Sequence, residues 1–344
     1  MIKRIIGGYM PAFKDHNGKI VPNSVSRIEK ITVGGVEQGI TMRGKSNNLP
    51  ILFFLHGGPG CSQTGAQRKF NSELEEHFIV VNWDQRGSGT SYNPAISSAT
   101  MNIEQLLSDA YEVVQYIAKK FNQKKVFLMG QSVGAALGLL FIKKYPEVVE
   151  AFIGVNQPVN RMQEEIKSYQ FTFETAVKKN HKKAIEDLKR IGFPENGVYK
   201  DINDMVTQRT WLTKFNGVTY KMNANLVNMQ YLLSSHLTMK EKLTFMKGLS
   251  FTATNMWNEL TSLNFFELVP EVKVPIYIVA GRHDRIVALE EIEDYFKYVK
   301  APFKELYIFE ESGHYALFEE KDKFNELMIL QVLPNHSQLE YKIV

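Results

Sequence analysis

The chain has 344 residues, 44% of them hydrophobic, enough to bury a large core as one domain or as a domain carrying an insertion, and unlike a disordered chain. Its formal charge of +4 is too small for the electrostatic footprint that nucleic-acid binding requires. A single cysteine, Cys61, excludes an internal disulfide framework and any cysteine-based metal site.

At the start, Gly7, Gly8 and Tyr9 end a short apolar run before it reaches the length of a signal peptide, and no later stretch approaches about 18 uninterrupted apolar residues. The expectation is a soluble cytoplasmic protein with no membrane partner. Residues 28–33 and 38–43 read as strands, and Gly34-Gly35 between them suits the positive φ angles of a tight hairpin. Residues 51–55 and 78–82 are short, continuously apolar runs, as expected of strands buried on both faces. Each runs into a glycine-rich turn, His56-Gly57-Gly58-Pro59-Gly60 after the first and Trp83-Asp84-Gln85-Arg86-Gly87-Ser88-Gly89 after the second. Residues 103–121 carry apolar side chains at the three-and-four spacing of an amphipathic helix. A strand at 125–129, a helix at 135–145 stopped by Pro146, and a strand at 151–155 follow. This alternation predicts an α/β protein with an open, mostly parallel sheet flanked by helices, its functional groups gathered at the carboxyl ends of the strands. From Pro158 to Phe266 the chain is rich in Lys, Asn, Thr, Met and aromatics without short buried strands, which predicts a mainly helical insertion. Strands at 276–280 and 304–309 and helices at 289–298 and 321–333 complete the chain. The domain reading is therefore a core formed by residues 1–157 and 267–344, interrupted by a helical segment, 158–266.

Gly130-Gln131-Ser132-Val133-Gly134 sits between a strand and a helix, the setting of a nucleophile elbow, with glycines where a Cβ would collide with neighbouring elements. A serine hydroxyl is a poor nucleophile at neutral pH and needs a general base, itself oriented by another group. His314, past the last strand, is the candidate base, and Asp284, past the strand at 276–280, is the candidate acid; the order Ser, Asp, His is the one this fold uses. His283 and His56 are rivals for the base, and Glu310 and Glu311 for the acid, but neither histidine follows the last strand and both glutamates share a strand end with the base. A tetrahedral intermediate needs N–H donors, each worth about 3 kcal/mol. The N–H of Val133 comes with the elbow, and that of Gly58 is the choice for the second donor. Cys61, just past this turn, reads as a buried small residue whose thiol would make activity sensitive to alkylation.

Together HGGPG, VNWDQRGSGTS, GQSVG, GRHD and the Gly313-His314 pair closely resemble the proline iminopeptidase branch of the α/β-hydrolases. The resemblance implies an α/β-hydrolase fold with a helical cap inserted after the strand beyond the elbow, and aminopeptidase activity on short peptides. It also implies that Gly58 serves the oxyanion hole and that Asp84 and Arg86 brace the site. The family anchors the substrate's free amine with cap glutamates, one directly after a tryptophan, whereas here Trp211 is followed by Leu212 and the later stretch Asn228-Met229-Gln230-Tyr231 is neutral. The resulting expectation is a serine hydrolase acting on a small amide or peptide without metal or organic cofactor. A carboxylesterase and a non-catalytic binding protein on the same scaffold are the alternatives. Dehalogenases and epoxide hydrolases of this fold place an aspartate at the elbow, which Ser132 argues against. The aromatics Trp211, Tyr231 and Trp257, together with Tyr169, Phe171 and Phe173, are the candidates for lining an apolar cap pocket.

Overall fold

Each short apolar run becomes a strand of one eight-stranded sheet in the computed structural model, which describes residues 8–337. The N-terminal apolar run ending at Gly7 lies outside the described residues. Strands β1 (Val25–Val33) and β2 (Val36–Gly44) form an antiparallel hairpin closed by Gly34 and Gly35, both at positive φ. β2 also pairs antiparallel with β4 (Ile79–Trp83). From β4 the sheet runs parallel through β3 (Ile51–Leu55), β5 (Val126–Gln131), β6 (Val149–Val155), β7 (Ile276–Gly281) and β8 (Lys304–Phe309), giving the order β1-β2-β4-β3-β5-β6-β7-β8. Every residue of β3, β4 and β5 is buried, as continuous apolar runs require when both sheet faces are covered.

Side chains alternate across each strand, and the two faces form separate cores. Ile51, Phe53 and Leu55 face one core with helices α2 (Ile103–Lys120) and α3 (Val133–Lys144), while Leu52 and Phe54 face the other with Ala66 of α1 (Thr64–Phe70). Asn102 caps α2 by accepting from the N–H of Gln105, and the buried face of α2 carries the predicted stripe from Ile103 to Ile117.

Between β6 and β7 lie helices α4 (Arg161–Lys178), α5 (Lys182–Ile191), α6 (Ile202–Lys214), α7 (Asn225–Leu233), α8 (Met239–Thr261) and the short α9 (Phe265–Leu268). A reciprocal capping box between Thr238 and Glu241 starts α8. Tyr169, Leu188, Trp211, Phe215 and Trp257 form an apolar core within this segment, whereas Met256 and Leu260 at the far end of α8 join the main core. Helix α10 (Leu289–Tyr298) precedes β8, and α11 (Ala316–Glu319), α12 (Lys321–Leu327) and α13 (Leu333–Ser337) follow it.

One expected helix is corrected. Residues 321–333 are not a single α-helix, because a π-helical turn at Met328–Val332 separates α12 from α13. Phe324, Met328, Val332 and His336 are all buried at a spacing of four. An α-helix turns about 100° per residue, so such positions drift off one face by about 40° each, and a wider π turn absorbs the drift.

Candidate active site

Ser132 stands at the end of β5 with φ 54° and ψ −123°, a conformation that non-glycine residues rarely adopt. Its Oγ therefore projects from a turn that the flanking elements must hold. They can approach closely because position 134 lacks a side chain: a Cβ on Gly134 would lie 2.0 Å from the carbonyl oxygen of Leu55.

Past the ends of β7 and β8, the loops carrying Asp284 and His314 meet this turn. His314 Nδ1 lies 2.7 Å from Asp284 Oδ2, and its Nε2 lies 2.8 Å from Ser132 Oγ. A carboxylate only accepts, so Nδ1 carries the proton and Nε2 is left to accept from the serine hydroxyl. Asp284 is fixed on its other oxygen by the N–H groups of Ile286 and Val287, at 2.7 and 3.1 Å. All three side chains are buried, at 8%, 1% and 5% exposure for Ser132, Asp284 and His314, so their mutual hydrogen bonds face little competition from water.

The rivals are placed elsewhere. His283 stacks on Tyr220 at 3.9 Å and its Nε2 meets the carbonyl of Glu310, while His56 is engaged by Ser88 and the N–H of Gln85. Burial lowers the pKa of His56, against the raising effect of Asp84. Glu310 pairs with Arg282, and Glu311 with Lys221.

Val133 opens α3, so its N–H is among the first-turn donors that have no intrahelical acceptor. Gly58 has φ +127°, and a Cβ there would come within 2.6 Å of the N of Cys61. Asp84 and Arg86 lie in the turn that follows β4. Asp84 Oδ2 accepts from the N–H and hydroxyl of Thr90, and buried Arg86 pairs with Asp109 and donates to the carbonyl of Gly34. The residues of that turn that reach the HGGPG segment are Gln85 and Ser88, both bonded to His56.

Sequence reasoning missed two further connections. Gln131 donates to the carbonyl of His314 and accepts from Gln63, which in turn accepts from the N–H of Gly57, so one side-chain relay joins the elbow, the histidine loop and the HGGPG turn. Asn156, after β6, donates to Asp284 Oδ2 and to the carbonyl of Gly313. A glutamine inside the elbow motif and an asparagine at a strand end were the available signals.

The aromatics expected at a cap pocket are packed against other side chains. Trp211 packs against Phe215 and His181 and donates to Asp187, Trp257 belongs to the same core, and Tyr231 lies against Phe245 with ring centroids 4.0 Å apart. All three are buried in the packing of the helical segment, each on a different helix.

A family profile described as serine aminopeptidase, S33, matches residues 47–321, from before β3 to the start of α12. The chain belongs to that family. It is 32% identical over 302 residues to the probable aminopeptidase YbaC of Bacillus subtilis, covering 88% of this chain and 94% of the relative. It is 27% identical over 298 residues to the proline iminopeptidase of Saccharolobus solfataricus, covering 83% and 85%. In fold it is similar to the proline iminopeptidase of Mycobacterium smegmatis, with a TM-score of 0.68 at 16% identity over 91% of this chain and 100% of that one. A proline iminopeptidase-related protein of Thermus thermophilus gives 0.62 at 19% identity over 90% and 97%. The protein is thus a hydrolase of the α/β-hydrolase type and proline iminopeptidase-like. Among the described residues, no helix is long and apolar enough to cross a membrane, and no group of three or more His, Cys, Asp or Glu is placed to hold a metal ion.

Proposed function

We propose that the protein is a serine hydrolase in which Ser132, His314 and Asp284 form a catalytic triad that cleaves small amides or short peptides through an acyl-enzyme. The hydrogen-bonded chain from Asp284 through His314 to Ser132 carries this reading. His314 Nε2 takes the hydroxyl proton as Ser132 Oγ attacks the carbonyl carbon, and Asp284 stabilises the resulting imidazolium. The N–H groups of Val133 and Gly58 receive the oxyanion. The imidazolium then protonates the leaving amine, and water repeats the sequence to release the acid. The helical segment between β6 and β7 serves as the cap that shapes the substrate site, Asp84 and Arg86 brace the turn behind it, and the protein works in the cytoplasm. Amide cleavage is favoured over ester cleavage by the aminopeptidase names of its relatives.

The discriminating experiment compares p-nitrophenyl esters with amino-acid arylamides in one assay. Arylamide turnover that is lost in Ser132→Ala supports the proposal. Turnover of esters alone would replace it with the carboxylesterase reading, and turnover of neither by a folded enzyme would favour a binding role.

A further inference from the structure

We infer that Asn156 is a positioning residue that fixes both the acid and the base of the triad, an inference that rests on the Ser132, His314 and Asp284 reading above. Asn156 is the first residue beyond β6 and is fully buried. Its backbone N–H donates to the carbonyl of Val279, fastening it to β7. Its φ is +46°, in the left-handed region that asparagine tolerates better than most residues. That backbone turn swings the side-chain amide out of the sheet and between the two loops that matter.

All of the amide's groups are used. Nδ2 donates to Asp284 Oδ2 at 2.9 Å and to the carbonyl of Gly313 at 3.1 Å, while Oδ1 accepts from the N–H of Ala316 at 3.3 Å. Gly313 and Ala316 bracket His314, so one side chain holds both ends of the segment that presents the imidazole. Asp284 Oδ2 is also the oxygen that receives His314 Nδ1. Asn156 therefore aims the lone pairs of that oxygen and sets how much negative charge it offers to the imidazolium.

Other charged groups around the pair are Glu164, Lys167, Arg285 and Glu290, which share a cleft with Asp284, and Glu319, which accepts from the N–H of Gly313. Tyr315 packs beside the His314 ring, and Cys61 lies near Tyr315. Among the described residues, Asn156 is the side-chain donor to the acid besides His314 itself, so a change at 156 acts on the acid directly.

The test uses Asn156→Asp and Asn156→Gly with the parent and Ser132→Ala, recording kcat, KM, the acid limb of kcat/KM and the rate of fluorophosphonate labelling. Aspartate keeps the size and the acceptor for Ala316 but sets an oxygen against Asp284 Oδ2. The added negative charge favours the imidazolium, so the acid limb should move up by at least ~0.5 pH unit. Glycine keeps the positive φ and removes the clamp, so kcat and labelling rate should fall together by about 10- to 100-fold with KM within about threefold. Melting temperatures accompany each variant, and if the glycine variant does not fold, the aspartate variant decides. An unmoved acid limb and an unchanged kcat in folded variants would overturn the inference while leaving the triad standing. Turnover surviving in Ser132→Ala would instead overturn the triad reading beneath it.

Discussion

Acetylating the amine of a proline arylamide should cost this enzyme less than about tenfold in kcat/KM. The helical segment offers two buried acids that could anchor an ammonium, Glu164 and Glu165, and both are already committed. Arg161 reaches Glu164 at 2.7 Å and Glu165 at 2.8 Å, and Arg209 adds a second guanidinium to Glu165. Two carboxylates facing two guanidiniums leave no net negative charge. Burial pushes the pKa of Glu164 up despite Arg161; the same burial works to lower that of Arg161, but the two glutamates outweigh it and leave the guanidinium firmly charged. Glu174 is exposed, and exposed Glu259 accepts from the N–H of Ile103 at the start of α2. A buried ammonium without a dedicated carboxylate costs several kcal/mol, so a free amine gains nothing here that an acetyl group would lose. The assay compares kcat/KM for the arylamide and its N-acetyl counterpart at equal ionic strength. A free-amine preference of about 100-fold, about 2.7 kcal/mol, would refute the argument. Glu165, whose Oε2 has no hydrogen-bond partner among the described residues, would then be the first residue to replace.

Three other outcomes are expected. His314→Ala should reduce kcat/KM by about four orders of magnitude or more, whereas His283→Ala should keep most activity because its ring lies against Tyr220; steady-state kinetics on both variants decides, and the reverse pattern would reassign the base. Burial pushes the Cys61 thiol up to about 11, so iodoacetamide near neutral pH should leave activity intact, contrary to the sensitivity its position in the sequence suggested; rapid inactivation with alkylated Cys61 in the mass spectrum would contradict this. His236 is pushed down to about 4, mainly by burial, with Asp84 opposing. A histidine whose folded pKa is depressed contributes stability above its unfolded value, and that stability is lost as pH falls from about 6.5 toward 4, about 3 kcal/mol in all. Urea unfolding of the parent and His236→Gln at about pH 7 and about pH 4.5 should therefore show the difference between them shrinking at the lower pH, and a constant difference would refute it.

The strands, and the meeting of Ser132, Asp284 and His314 at their ends, were legible because their signals are local. Continuous apolar runs such as Ile51–Leu55 and glycines packed against backbone, as at Gly134, constrain the sequence within a few residues. The order of Ser132, Asp284 and His314 then follows from which strand each residue succeeds. Asn156 and the Gln131–Gln63 relay were not legible, because a polar residue at a strand end looks the same whether it turns toward solvent or closes a network 157 residues away in the chain, as Asn156 does at Gly313. The aromatics were ambiguous for a related reason. Helical spacing places Trp211 and Trp257 on buried faces of their own helices but does not show what those faces meet; both join one apolar core. The π turn at Met328–Val332 was hidden because a four-residue spacing of buried positions fits a helix until its drift accumulates.

The account depends most directly on Ser132 as the nucleophile. Treating the enzyme with a fluorophosphonate, measuring the intact mass and mapping the modified peptide should show one adduct, on Ser132, that abolishes arylamide turnover. Ser132→Ala should take up no label while melting near the parent temperature. An adduct on another residue, or labelling that persists in Ser132→Ala, would contradict the mechanism.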